Sequence, residues 1–130
     1  MKKSTIVIVL VLMISMFSCS TKDRSAITVV SVEEMHMLQD LENVQLVDVR
    51  TSKEHKVGHI SNSQNIDFNS PTFDDDITRL NKDKPVILYC QKGGRSAKCA
   101  DKLLEAGFKK IYDLKGGFSE WEHVDLDIKL

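Results

Sequence analysis

The sequence predicts an α/β domain, a central parallel sheet of about five strands with helices on both faces. Three observations carry this. Short β-branched segments alternate with segments of helical spacing from residue 26 onward, the pattern of strands joined by crossover helices. The segments 44–49 and 85–89 are apolar almost throughout, as strands buried on both faces are. Finally, 130 residues suit one domain and are too few for two.

The elements follow in order. Residues 26–30 read as a first strand. Ser31 with Glu34 three positions on has capping-box spacing, and the helix it opens runs to about Asp40 on Val32, Met35 and Leu38. Residues 44–49 form a buried strand and 52–56 a short helix begun by a hydroxyl cap. A brief strand is expected at 64–66. Asn69-Ser70-Pro71 is a turn, after which a helix starts at Thr72 or Asp74 and ends near Leu80. Pro85 opens the central strand, a position that tolerates proline. The strongest helix spans 95–105, with Ala97, Ala100 and Leu104 on one face and Gly107 as its C-cap. Residues 109–114 are a last strand and 118–122 a final helical turn. There are no internal repeats and no low-complexity segment.

The first eighteen residues stand apart. Lys2 and Lys3 precede thirteen nearly uncharged residues, 5–17, too short a run to span a bilayer comfortably and suited to the apolar region of a signal peptide. Ser18-Cys19 resembles the cleavage site of a bacterial lipoprotein, although Met16 and Phe17 depart from its usual residues. We therefore expect residues 1–18 to be a signal peptide, Cys19 to carry lipid, 19–26 to be a tether and 27–130 to be the folded domain. An ordinary secretory signal or an uncleaved anchor would equally place the domain outside the cytoplasm. Loss of Lys2 and Lys3 makes the chain more acidic than its formal charge of −1, which argues against a nucleic-acid partner.

The densest chemistry lies at Cys90-Gln91-Lys92-Gly93-Gly94-Arg95-Ser96. A buried strand ends on a cysteine, a glycine-bearing loop follows, and a helix begins. Loop amides, a helix N-terminus and two cations all favour thiolate, the nucleophilic form of cysteine. Gly93 and Gly94 are expected to take positive φ and turn amides inward where a Cβ would obstruct. Arg95 at a helix N-terminus opposes the helix dipole, so an anionic substrate or the Cys90 thiolate is expected to offset it. Ser96 caps or packs the helix. Cys99 is most simply a core residue; its sharper reading is a resolving thiol for Cys90. Asp48 and Arg50 read as structural, Asp48 bonding loop amides and Arg50 pairing with Glu54. Tyr112, Phe118 and Trp121 are core aromatics. His36, His55 and His123 have no metal-site spacing.

With three further blocks beside the cysteine loop, the chain resembles the single-domain rhodanese sulfurtransferases. Cys90 to Arg95 has Cys-x4-Arg spacing, whereas cysteine phosphatases carry one residue more. Asp48-Val49-Arg50 ends a strand as in that family. Glu54 through Gly58-His59-Ile60 is similar to its Glu-x-x-x-Gly-His-Ile stretch, and Gly116-Gly117-Phe118-Ser119-Glu120-Trp121 to its Gly-Gly-x-x-x-Trp ending. The resemblance covers residues 27–123. It implies a three-layer fold and a two-step cycle in which Cys90 takes sulfane sulfur from thiosulfate or a polysulfide, becomes a persulfide, and yields that sulfur to a thiol or cyanide. It implies that Gln91, Lys92, Gly93, Gly94 and Arg95 hold the substrate, with Lys92 favouring dianionic thiosulfate, and that His59 packs rather than acts as a base. Neither metal nor organic cofactor is implied. The expected partners are a small sulfur-donor anion and a thiol acceptor, including a thioredoxin-like protein; the membrane is touched through the N-terminal lipid only, and the chain is expected to be a monomer. The competing readings are a non-catalytic binding module of the same fold and a small cysteine phosphatase or arsenate-type enzyme.

Overall fold

Because β-strands alternate their side chains between two faces, a strand that is apolar throughout must be covered twice. The computed structural model follows this rule around its central strand. It describes residues 23–41, 43–124 and 128–129, with Leu41 and the last two by backbone alone. The expected signal peptide and Cys19 lie outside the described residues.

The elements are β1 (Ile27–Val30), α1 (Val32–Leu41), β2 (Gln45–Asp48), α2 (Ser52–Val57), β3 (His59–Ile60), β4 (Gln64–Asn65), α3 (Phe73–Asp76), β5 (Val86–Tyr89), α4 (Gly94–Glu105), β6 (Ile111–Leu114), α5 (Gly117–Val124) and β7 (Ile128–Lys129). A 3-10 turn, Ile77–Arg79, extends α3. Five strands form one sheet in the order β1-β6-β5-β2-β4, and every neighbouring pair is parallel. This is the expected fold class.

β5 divides the core. Val86, Leu88 and Cys90 face a cluster that includes Phe73, Cys99, Ala100 and Leu103. Ile87 and Tyr89 face the opposite cluster, with Met35, Phe118 and Trp121. Tyr112, Phe118 and Trp121 are buried, as the sequence suggests. The capping box forms at α1: the Ser31 amide donates to Glu34 Oε2 at 2.8 Å and the Glu34 amide to Ser31 Oγ at 3.2 Å.

Three elements differ from expectation. The inward stripe of α4 is Ser96, Cys99, Ala100 and Leu103, while Ala97 and Leu104 are half-buried. The i, i+3, i+4, i+7 row that meets β5 and β6 is therefore one position away from the most apolar row. Apolarity alone misjudged it because this face buries a hydroxyl and a thiol. The final helix has eight residues rather than one turn. β3 and β7 pair antiparallel as a separate two-residue ribbon, too short for any periodic signal in sequence.

Parallel pairing puts the carboxyl ends of the sheet strands on one edge, where open α/β sheets bind ligands. Asp48 pairs across from Tyr89, so the loop after β2 emerges beside the loop after β5.

Candidate active site

Cys90 is the first residue beyond β5, and its sulfur lies where the chain turns into α4. Gly93 takes φ +113°, ψ −12° as the N-cap of α4, a conformation that strains any residue with a Cβ. The turn brings the Gly93 amide to 3.0 Å from Cys90 Sγ, donating to it. Gly94 differs from expectation. It has no positive φ, and a Cβ at either glycine would meet nothing within 4 Å, so Gly93 serves for its backbone angle and the space above both is open. Ser96 is buried, its Oγ 3.6 Å from Cys90 Sγ and donating to the Gly93 carbonyl at 3.2 Å.

The loop carbonyls point the other way. The Phe118 amide donates to the Cys90 carbonyl at 2.7 Å, and the Ser119 amide to the Gln91 carbonyl at 3.0 Å. The start of α5 thus holds the loop with its carbonyls outward and leaves amides for the sulfur. Gly117 permits this approach. It has φ +61°, and a Cβ there would press into the Cys90 carbonyl oxygen and sit 2.9 Å from the Gln91 carbonyl.

A buried ion pair braces the loop from behind. Arg50 donates to both carboxylate oxygens of Asp48, from Nε at 3.0 Å and Nη2 at 2.7 Å, and the Arg50 amide adds 2.9 Å to Oδ1. The same guanidinium reaches the Gly58 carbonyl at 2.7 Å and Gln91 Oε1 at 3.1 Å, and it lies 4.0 Å from the Phe118 ring centroid. Gln91 Nε2 donates to Ser119 Oγ at 3.0 Å. His55 Nδ1 adds a further contact to Asp48 Oδ2 at 2.9 Å, and the His55 and His59 rings stack at 3.9 Å. His59 Nδ1 itself bonds the His55 carbonyl at 2.8 Å. The Asp-Val-Arg, Gly-His-Ile and Gly-Gly-x-x-x-Trp blocks, scattered in sequence, meet behind one loop.

The ion pairs correct two expectations. Arg50 pairs with Asp48, not Glu54, because a two-residue turn aims its fork back at the strand end. Glu54 instead binds Arg95 through both oxygens, at 2.8 Å each. This carboxylate is the main offset to Arg95 at the mouth of α4, and the Cys90 sulfur adds to it. Glu54 also completes a capping box with Thr51 at α2, and the Arg95 hydrogen bond, ahead of Thr51, takes its pKa down to about 2. Lys92 is exposed on the loop.

The thiols have opposite electrostatics. Burial pushes Cys90 up, but hydrogen bonds from Ser96 and from the Gly93 and Lys92 backbone outweigh it and hold the thiol below its ordinary range. Cys99 is buried in the same cluster. Burial, with Asp113 adding, pushes it up to about 12, so it stays a thiol at neutral pH.

Sequence reasoning passed over Glu54, His55 and Asp113 as site residues. The Thr51-x-x-Glu54 box was a usable signal for Glu54, although not for its bond to Arg95, which lies forty-one positions away. Asp113 carried no signal beyond being a charge within a strand. Among the described residues no group of three or more His, Cys, Asp or Glu is arranged to hold a metal ion.

The chain is similar to several known proteins. The family model for the Rhodanese-like domain matches residues 31–123. Thiosulfate sulfurtransferase GlpE of Pseudomonas aeruginosa is 34% identical over 95 residues, covering 73% of this chain and 84% of that protein. An uncharacterised protein of Bacillus subtilis, YqhL, is 42% identical over 77 residues, 59% of this chain and 60% of its own length. Among solved structures, a rhodanese-related protein from Thermoplasma volcanium superposes with a TM-score of 0.69 at 26% identity, covering 78% of this chain and 96% of its own. A rhodanese-like domain protein from Staphylococcus aureus gives 0.67 at 29%, covering 79% and 97%. With its family model spanning four of the five sheet strands, the cysteine loop and the brace behind it, the chain belongs to the rhodanese-like domain family.

Proposed function

We propose that the protein is a sulfurtransferase that carries sulfane sulfur from a small anionic donor, thiosulfate or a polysulfide, through a Cys90 persulfide to a thiol or cyanide. The observation that carries this is the Gly93 amide 3.0 Å from Cys90 Sγ, on a loop whose carbonyls are turned away. In the first step the Cys90 thiolate attacks the terminal sulfur of the donor. A sulfur–sulfur bond forms to Cys90, the donor's own sulfur–sulfur bond breaks, and sulfite (or a shortened polysulfide) leaves with the electron pair. In the second, the acceptor takes the outer sulfur and the thiolate returns. The loop amides stabilise the sulfur anion as an oxyanion hole does oxygen. Lys92 and the loop amides receive the anionic donor, since both terminal nitrogens of Arg95 are committed to Glu54. That commitment also weighs against a phosphatase, which needs its arginine fork for phosphate. GlpE, named as a thiosulfate sulfurtransferase, supports thiosulfate as donor. The N-terminal segment supports an exported, lipid-anchored enzyme whose acceptor is a thiol of that compartment, a thioredoxin-like protein among them.

The test is steady-state transfer from thiosulfate to cyanide, read as thiocyanate, alongside hydrolysis of a phenyl phosphate. Thiocyanate formation that varies in a ping-pong pattern with both substrates supports the reading. Phosphate release without thiocyanate would replace it.

A further inference from the structure

The segment from Cys90 to Ser96 carries two cations, Lys92 and Arg95, and the fold treats them differently. Lys92 is exposed. Arg95 lies in the first turn of α4, two positions past the Gly93 amide that touches Cys90 Sγ. It commits both terminal nitrogens to Glu54, Nη1 to Oε2 and Nη2 to Oε1, each at 2.8 Å. A guanidinium bound edge-on by one carboxylate cannot offer that edge to a second anion.

Glu54 is anchored in this position. Its Oε2 also accepts from the Thr51 amide and from Thr51 Oγ1, each at 2.8 Å, and its own amide donates back to Thr51 Oγ1 at 3.2 Å. The capping box therefore presets the carboxylate on α2, and Arg95 meets it there. The loop is already held from behind by Arg50 and by the amides of α5, so the bridge adds little to its support. What it changes is the charge facing an incoming donor.

Charge separates the two donor classes. Thiosulfate arrives as a dianion and departs as sulfite. An organic hydropersulfide, R–S–SH, arrives uncharged. The Cys90 thiolate attacks its outer sulfur, a sulfur–sulfur bond forms to Cys90, and the donor's own sulfur–sulfur bond breaks. R–S⁻ leaves with the electron pair, and the proton stays on the transferred sulfur. A fixed carboxylate beside the loop opposes the dianion and is nearly indifferent to the neutral donor.

We propose that Glu54 is a positioning residue that sets donor specificity: by occupying the Arg95 fork it turns the site away from dianionic thiosulfate and toward low-charge hydropersulfides. Thiosulfate still loads Cys90 through Lys92 and the loop amides, but more slowly. The inference rests on the reading of Cys90 as a sulfur-transfer nucleophile and narrows the donor within it.

The test compares the parent chain with Glu54→Gln and with the Glu54→Gln/Arg95→Gln pair. Glutamine at this helix position keeps the capping box. The second-order rate of Cys90 persulfide formation is read by intact mass, with thiosulfate and with the hydropersulfide of mercaptoethanol as donors. The parent should load faster from the hydropersulfide. Glu54→Gln should speed loading from thiosulfate about threefold or more at low salt and leave the hydropersulfide within about twofold. The gain should shrink as salt rises and vanish in the pair. Equal losses with both donors would reduce Glu54 to a support of the loop and overturn the proposal. So would an unchanged ratio, a gain that persists without Arg95, or a parent faster with thiosulfate.

A second probe needs no sulfur transfer. Iodoacetate and iodoacetamide alkylate the same thiolate and differ by one negative charge. Their rate ratio at Cys90 should rise about threefold or more in Glu54→Gln and return to the parent value in the pair; a constant ratio contradicts the proposal. Where the variants fail to fold, the parent ratio decides, divided by the ratio for mercaptoethanol in solution. It should lie within about threefold of unity, and a preference for iodoacetate of about tenfold or more would show Arg95 open to anions. Loading by neither donor would sink the sulfurtransferase reading and leave the alkylation ratio to decide whether Glu54 screens anions from Cys90.

Discussion

Cys90 and Cys99 stand nine positions apart, are each 1% exposed and belong to the same core cluster, yet their chemistry diverges. One is held below its ordinary pKa and the other is pushed to about 12. Burial raises both, so burial does not decide. The difference lies in what the backbone offers. Cys90 follows a strand and precedes a helix N-terminus, where unused amides collect. Cys99 sits mid-helix, where every nearby amide already serves the helix. A reactive thiol is thus a property of chain position as much as of residue type.

The sharpest way to break this comparison is to remove each sulfur. Cys90→Ser should reduce thiocyanate formation to background, while Cys99→Ser should stay within about twofold of the parent. Steady-state kinetics decides, and loss of activity in the Cys99 variant alone would reverse the assignment.

Next in size is the brace. Arg50→Lys keeps the charge but loses the planar fork that serves Asp48, Gly58 and Gln91 together. It should cost about 3 kcal/mol, because Asp48 is left buried and under-satisfied. The midpoint of chemical denaturation measures it. A shift near zero would mean that the brace is dispensable.

Gly117→Ala attacks the loop directly. The positive φ alone costs about 1–3 kcal/mol, and the added Cβ must displace the Cys90 and Gln91 carbonyls. Activity should fall about tenfold or more, with the Cys90 alkylation midpoint rising toward the behaviour of Cys99. Parent-like kinetics in a destabilised variant would separate loop geometry from stability.

Glu54→Gln is the mildest. The folded-state pKa of Glu54 is about 2, below its unfolded value. The stabilisation is therefore present above the unfolded pKa and is lost as pH falls from there through about 2. The pair is part-exposed, so the loss at neutral pH should be about 1 kcal/mol. Thermal melts from pH 7 to pH 3 should show the parent converging on the variant as acid removes the bond; parallel curves would contradict it.

Much of this was readable in the chain. The sheet, the crossover helices and the cysteine at a strand's end follow from β-branched runs, caps and glycines, all of which act locally. The thiolate's loop was legible because its parts lie within seven residues. What escaped depends on contacts across the sheet. Arg50 and Glu54 invite pairing in sequence, but the turn after β2 sends Arg50 back to Asp48 and frees Glu54 for Arg95. Gly117 looks like an ordinary turn glycine until α5 is laid against the cysteine loop. The α4 stripe was misread because polar and sulfur side chains line its inner face, where an apolarity count would not seek them.

The most direct test is the intact mass of the reduced protein after exposure to thiosulfate. The account predicts a gain of one sulfur atom, mapped to Cys90, removed by dithiothreitol and absent from Cys90→Ser. No gain with thiosulfate or with polysulfide, or a sulfur mapped to Cys99, would contradict it.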